Sequence, residues 1–200
     1  MLYPDCLDKT IKYFQKFPGI GEKSAERLAL FVLDISEEEI KDFSKSLEDV
    51  KSKLHKCNIC GNITDMDVCC ICNSEQRNKN LICVLEDYKS LFAIEKVGHF
   101  NGVYHVLDGL ISPIDNIGPD DINIAGLVSR IDKLDNPEII VALKSSLEGE
   151  ATTLYIKRIF EKKKVNISRL SYGIPMGAEI DYLDELTLDR ALSDRKIISD

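Results

Sequence analysis

Four cysteines in two closely spaced pairs constrain this chain more than any other feature. Cys57 and Cys60 form the first pair, Cys69 and Cys72 the second, and eight residues separate the two pairs. Each pair can hold two thiolates on one side of a tight turn, and two such turns complete the tetrahedron that zinc prefers. Four thiolates leave no open coordination position, so we expect one structural zinc ion per chain.

The same cysteines allow two other interpretations. Disulfides need an oxidising compartment, and no feature of the sequence directs the chain to one. A redox-active pair normally lies where a strand enters a helix, a context that these doubled pairs lack. Cys70 would replace Cys69 as a ligand only by breaking the spacing. Cys6 and Cys83 lie in apolar stretches, where we expect small buried side chains.

Composition indicates a compact, soluble protein of one or two domains. The chain has 200 residues, of which 44% are hydrophobic and 30% charged, with a net charge of −8. This acidic balance excludes a polybasic arm that coats DNA by charge alone. No apolar run approaches the roughly 20 residues that span a membrane, and the first residues lack a signal-peptide pattern. We therefore expect a cytoplasmic protein with no membrane partner.

Apolar periodicity predicts four regions along the chain. Residues 1–56 show helical stripes, and Ser36 and Glu39 have the spacing of a capping box. In residues 57–80 the cysteines replace this periodicity, which predicts a four-cysteine zinc finger. Residues 81–172 alternate short apolar runs with helical stripes, which predicts a parallel sheet with helices on its faces. Residues 173–200 form a short C-terminal segment. The expected strands are residues 81–85, 103–107, 139–143 and 165–170.

A turn containing Gly19 and Gly21 joins the first two predicted helices. Such a turn points the first N–H groups of the second helix outward, where a phosphate oxygen can accept them. Lys23 and Arg27 lie four residues apart and so share a face of that helix. The arrangement resembles the helix–hairpin–helix motif, which contacts the DNA backbone without reading sequence. The alternative is a plain helical connection with two solvated cations. The opposite face is expected to be buried: Ala25, Leu28 and Ala29.

Three carboxylates are expected at the carboxyl edge of the predicted sheet, where such folds bind ligands. Glu86 follows the first strand, and Glu148 and Glu150 follow the third. Carboxylates converging there could hold magnesium, and the layout resembles the Toprim domain of topoisomerases and primases. In topoisomerases an Asp-x-Asp precedes the Glu-Gly-Glu, but here Lys144 and Ser146 occupy those positions. A lysine cannot ligate magnesium, so two-metal phosphoryl chemistry is not predicted. We interpret the glutamates as favourable charge at a helix N-terminus or as protein-docking groups.

The hairpin, the four-cysteine knuckle and the degenerate Toprim domain, in that order, resemble the RecR family of bacterial recombination mediators. The resemblance covers essentially the whole chain and implies a multidomain α+β fold. The sequence departs from the family pattern at two places. Lys144-Ser145 stand where the family usually has Asn-Pro, and Ala178 stands where it usually has glycine. Five further segments match: residues 111–115, 118–122, 148–152, 172–177 and 187–192.

The resemblance implies a non-catalytic DNA-binding protein of DNA repair. Family members form ring-shaped tetramers and act with RecO and RecF to load RecA onto single-stranded DNA coated by SSB. Two alternatives remain: a Toprim-type metal-dependent nuclease or primase, and a zinc-stabilised protein scaffold. The implied site residues are Gly19, Gly21, Lys23 and Arg27 for DNA, Cys57, Cys60, Cys69 and Cys72 for zinc, and Glu86, Glu148 and Glu150 for partner proteins.

Overall fold

The computed structural model describes residues 3–171, 174 and 177–195. The chain forms two compact units, Met1–Leu54 and His55–Asp200. The finer division into four domains stays a prediction. Of the C-terminal motif at residues 172–177, only Ile174 and Gly177 lie within the described residues.

The first unit consists of three helices, α1 (Asp5–Phe14), α2 (Glu22–Phe31) and α3 (Glu37–Lys53). The predicted capping box starts α3: Ser36 Oγ accepts from the Glu39 amide, and the Glu39 carboxylate accepts from the Ser36 amide. α1 ends before Phe17, which lies in the turn that follows. The buried core is small: Ile11, Ala25 and Ala29.

The cysteine module opens the second unit with a short antiparallel hairpin. Its strands are β1 (His55–Lys56) and β2 (Ile63–Thr64), and helix α4 (Cys70–Asn73) follows. The Val106 amide donates to the Cys60 carbonyl oxygen at 2.7 Å, so the knuckle packs directly on the sheet. Gly61 has φ +74°, and a Cβ there would lie 3.0 Å from the Val106 carbonyl oxygen. Glycine at this position therefore permits the close approach.

The rest of the second unit is built on a four-stranded sheet in the order β4-β3-β5-β6, with every strand parallel to its neighbours. This confirms the predicted parallel sheet. One cluster of buried side chains joins the cysteines to both faces of the sheet. The strands are β3 (Leu81–Leu85), β4 (Val103–Val106), β5 (Glu138–Ala142) and β6 (Asn166–Arg169). The crossover helices are α5 (Tyr88–Val97), α6 (Ile124–Ile131) and α7 (Leu147–Phe160).

A further helix, α8 (Glu185–Ser193), lies in the C-terminal segment, where the sequence predicted no helix. Asp184 caps it, since its carboxylate accepts from the Thr187 amide at 2.9 Å. None of the nine α8 residues is buried. Within the described ranges, no helix has both the length and the apolar character needed to cross a membrane.

Candidate functional site

The four paired cysteines meet in one buried group. The hairpin turn carries Cys57 and Cys60, the start of α4 carries Cys69 and Cys72, and all four Sγ atoms lie within 4.8 Å of one another. The Cys60 and Cys69 sulfurs are 3.6 Å apart. Tetrahedral thiolates at about 2.3 Å from a metal lie about 3.8 Å from each other, so the donor set fits a closed four-sulfur metal site. All seven cysteines lie in the described residues, and none forms a disulfide.

Metal binding by these four cysteines depends on pH, because the thiols share protons through hydrogen bonds. The hydrogen bond to Cys69, together with burial, raises the pKa of Cys60. The same hydrogen bond lowers the pKa of Cys69. A metal must displace the remaining protons, because only thiolates ligate it. Metal uptake by this four-cysteine metal-binding group thus releases protons and weakens in acid.

The other cysteines have separate environments. Cys83 is buried in β3, and burial raises its pKa to about 12, as expected for an inert core thiol. The prediction that Cys6 is buried is wrong, because α1 turns this residue to its exposed face. Cys70 is also exposed, beside the ligand position of Cys69.

The glycine turn has the geometry that the sequence predicted. Gly19 has a left-handed φ of +78°, and Gly21 occupies the N-cap of α2 without a side-chain cap. The first amides of α2 thus have no capping side chain. Lys23 and Arg27 are both exposed, and neither forms an ion pair with another described residue.

The buried face of α2, which lies opposite Lys23 and Arg27, is narrower than predicted. Ala25 and Ala29 are buried, at 0% and 1% exposure, but Leu28 is 39% exposed. Leu28 lies next to Arg27, and the two border an open groove together with Ser24 and Phe31. A buried face of two alanines lets α2 approach α1 closely, and the larger Leu28 side chain falls outside that contact.

The acidic edge, which we define as Glu86, Glu148 and Glu150, is not an open cluster of carboxylates. Glu86 forms an ion pair with Lys144, with Nζ 3.2 Å from Oε1. Glu148 accepts from Ser146 Oγ at 2.6 Å, and this hydrogen bond lowers its pKa. Ser146 also caps α7, since its Oγ accepts from the Gly149 amide. The two side chains at the aspartate positions thus neutralise one glutamate and start the helix.

Glu150 is paired with the C-terminal part of the chain. Arg190 Nη1 donates to Glu150 Oε1 at 2.9 Å and to Ser145 Oγ at 2.7 Å. Arg169 Nη1 lies 3.6 Å from the same carboxylate oxygen. Sequence reasoning missed both arginines, because α8 was not predicted and no local pattern links residue 190 to residue 150. Among the described residues, the four cysteines are the group of metal-ligating side chains that comes together, and the acidic edge does not.

Comparison with family models gives three matches in the order of the observed elements. The RecR helix-hairpin-helix model matches residues 7–51, a Toprim domain model residues 80–171, and the RecR C-terminal model residues 173–196. Together these matches span about four-fifths of the chain, and two of the three models are specific to one family. The ordered matches to the hairpin, the parallel sheet and the C-terminal segment show that this chain belongs to the RecR family.

Proposed function

We propose that this chain is a non-catalytic recombination mediator of DNA repair. In this role it binds DNA without sequence preference and acts in the cytoplasm with RecO and RecF to load RecA onto SSB-coated single strands. The RecR family matches support the mediator role. The observation that carries DNA binding is the glycine turn, where the first amides of α2 and two exposed cations face the same solvent.

The contact is a phosphate clamp at the start of α2. Backbone N–H groups at a helix N-terminus and the helix dipole favour an anion, and Lys23 and Arg27 add charge on one face of the same helix. Neither cation is neutralised by a described carboxylate, although Glu22 and Glu26 are close in sequence. Glu26 instead accepts from the Tyr3 hydroxyl of α1's leading segment. Both charges therefore remain available to a polyanion.

A titration of labelled DNA by fluorescence anisotropy tests this clamp. Lys23→Ala combined with Arg27→Ala should weaken binding about tenfold or more on every sequence alike, because phosphate contacts carry no sequence information. Lys45→Ala combined with Lys51→Ala is the matched control, since it removes two exposed cations from α3 in the same unit. Wild-type affinity in the first double variant would assign DNA to another surface.

The mediator is proposed to act as a ring-shaped homotetramer. Support comes from α3, whose 17 residues include no buried one. Its apolar stripe is exposed to between 48% and 59% at Phe43, Leu47 and Val50. A contiguous apolar helix face of this kind is typical of a surface that another protein chain covers.

The remaining parts of the proposal concern the metal and the acidic edge. We assign zinc to the cysteine group, because a closed four-thiolate tetrahedron is a structural zinc site with no position left for a substrate.

The acidic edge docks partner proteins. Co-purification with RecO should therefore fall in Glu148→Gln combined with Glu150→Gln, while DNA binding stays unchanged.

The Toprim match favours one alternative, a metal-dependent nuclease or primase. Incubation with DNA or nucleotides and Mg²⁺ or Mn²⁺ discriminates the two functions. Cleavage or synthesis that Glu86→Ala abolishes would establish the enzyme, whereas the ion pair between Glu86 and Lys144 leads us to expect none.

A further inference from the structure

We infer that α8 is an ionic latch on the acidic edge, and that a partner reaches Glu150 only when this latch opens. The inference rests on the proposed docking role of the edge and adds a control to it. The carboxylate that a partner would use is already held by the chain's own C-terminal helix.

Two clamps hold α8 in place. At the first, Arg190 of α8 donates to Glu150 and Ser145, at 2.9 and 2.7 Å. At the second, Asp194, which ends α8, accepts from Arg169 Nη2 of β6 at 3.3 Å. Arg169 also faces Glu150, so the four charges alternate as Arg190, Glu150, Arg169 and Asp194. α8 is thus tied at both points to the same short row of charges.

Apolar burial contributes little to the attachment of this helix, in which Leu188 and Ala191 are only partly buried. None of its residues is buried, and Leu186 and Leu192 are exposed to 58% and 66%. A helix of nine residues is too short to be stable alone in water, so α8 depends on its contacts to remain helical. Ion pairs near the surface contribute little individually and are screened by salt. The latch is therefore marginal, and it opens when its charges are screened or removed.

Glu150 is the point at which opening matters for a partner. Glu86 and Glu148 are satisfied by Lys144 and Ser146, which belong to the loop between β5 and α7 and stay there when α8 leaves. On opening, Glu150 loses Arg190 but keeps its contact with Arg169 of β6, so the place that Arg190 held becomes accessible to another cation. A partner that binds this edge must offer a guanidinium or ammonium group in place of Arg190, and its binding free energy is coupled to release of α8.

Hydrogen exchange of the full chain, read on the α8 amides, tests the latch. In Arg190→Ala at low salt, these amides should exchange about five- to tenfold faster than in the wild type, the loss expected for one charged hydrogen-bonded pair. Rising NaCl should speed exchange in the wild type and remove the difference. Arg158→Ala is the matched control, because this substitution removes the same charge from an exposed position of α7 that does not contact α8 in the described residues. Equal α8 protection in Arg190→Ala and the wild type would overturn the latch.

A second pair of variants tests the contact between Arg190 and Glu150 by changing the carboxylate instead of the arginine. Glu150→Gln and Glu148→Gln remove the same charge from the same helix turn, yet only Glu150 touches Arg190. Faster α8 exchange in Glu150→Gln alone is expected, and equal release in both variants would overturn the assignment of the contact. These measurements use the chain without DNA or partners, so their outcome is independent of the mediator role.

The coupling has its own readout. Arg190→Ala should co-purify more RecO than the wild type, because the edge is then already open, and Arg158→Ala should not. Equal co-purification by Arg190→Ala and the wild type, with α8 demonstrably released, would overturn the coupling. The comparison of RecO co-purification does not depend on whether Lys23→Ala combined with Arg27→Ala loses DNA binding.

Discussion

At the scale of single residues, the cysteine group shows how spacing alone specifies a site. Cys57 and Cys69 belong to a hairpin turn and a helix start, and their contact is direct: the Cys69 amide donates to Cys57 Sγ at 3.3 Å. Such a group cannot form before the two segments fold together, so metal binding and folding of this module are coupled.

We expect one zinc ion per chain by elemental analysis, and Cys57→Ser should cost several kcal/mol of stability. Comparable small sites bind zinc with about 10–16 kcal/mol, much of which is folding free energy. Cys70→Ser and Cys6→Ser are the controls, since both thiols are exposed. Urea unfolding of the four proteins measures the difference. A metal-free chain that unfolds at the wild-type midpoint would contradict the structural role.

His105 gives the second residue-scale prediction. It is fully buried in β4, with Nε2 2.7 Å from the Asn123 carbonyl oxygen and Nδ1 without a hydrogen-bond partner among the described residues. Burial lowers its pKa to about 4, and the nearby Arg130 charge acts in the same direction. The unfolded chain, with an ordinary pKa of about 6.5, takes up a proton that the folded chain refuses. The contribution of neutral His105 to the free energy of unfolding is therefore fully present above pH 6.5 and is lost as the pH falls toward 4.

Between pH 7 and pH 5 this histidine should cost the wild type about 2 kcal/mol, from the linkage between the two pKa values. Urea unfolding of His105→Gln at both pH values should show a loss smaller by that amount. His99→Gln removes an exposed histidine and should keep the wild-type dependence. Comparing variants at one pH cancels the effect of acid on the metal site. Parallel pH profiles for His105→Gln and the wild type would contradict the assignment.

At the scale of elements, the sequence predicted what local pattern controls. The four strands of the sheet and the capping box of α3 follow from short apolar runs and from one Ser-x-x-Glu spacing, and each was found within about two residues. The two-residue strands β1 and β2 are too short to show any periodicity. α8 was missed because its partners, Glu150 and Arg169, are distant in sequence. The exposure of Leu28 and Cys6 was also missed, because the apolar character of a residue does not show how wide the buried face of its helix is.

The turn between α1 and α2 gives a prediction at this scale. Gly19 has φ +78°, where an L-residue is strained by about 1–2 kcal/mol, although a Cβ there would meet no atom within 4 Å. Gly19→Ala should therefore destabilise the first unit by about 1 kcal/mol through backbone strain alone. Gly19→Asn should cost less, because asparagine tolerates this conformation. Hydrogen exchange of the α2 amides measures both, and equal effects of the two substitutions would contradict the strain argument.

At the scale of the whole molecule, the proposed function requires an acidic protein to bind a polyanion. A net charge of −8 repels DNA, so attraction must be local and repeated. One hairpin offers about two phosphate contacts, which gives a slope of log affinity against log salt near −2 on duplex DNA. That is too few contacts for stable binding at physiological salt. Several hairpins in one assembly act at high effective concentration and multiply the affinity.

The assembly should therefore set the salt dependence. If four hairpins engage one duplex, the slope approaches about −7, since each phosphate contact contributes about −0.9. Leu47→Asp places a charge in the exposed apolar stripe of α3 and should give smaller particles, weak binding and a slope near −2. Val97→Asp is the matched control, because Val97 is 64% exposed on α5 in the other unit. Light scattering with and without DNA gives the particle mass, and anisotropy over a salt series gives the slope. A Leu47→Asp protein that keeps both its mass and its slope would exclude the α3 stripe as the subunit interface, and a slope near −2 for an intact tetramer would show that its hairpins do not bind one duplex together.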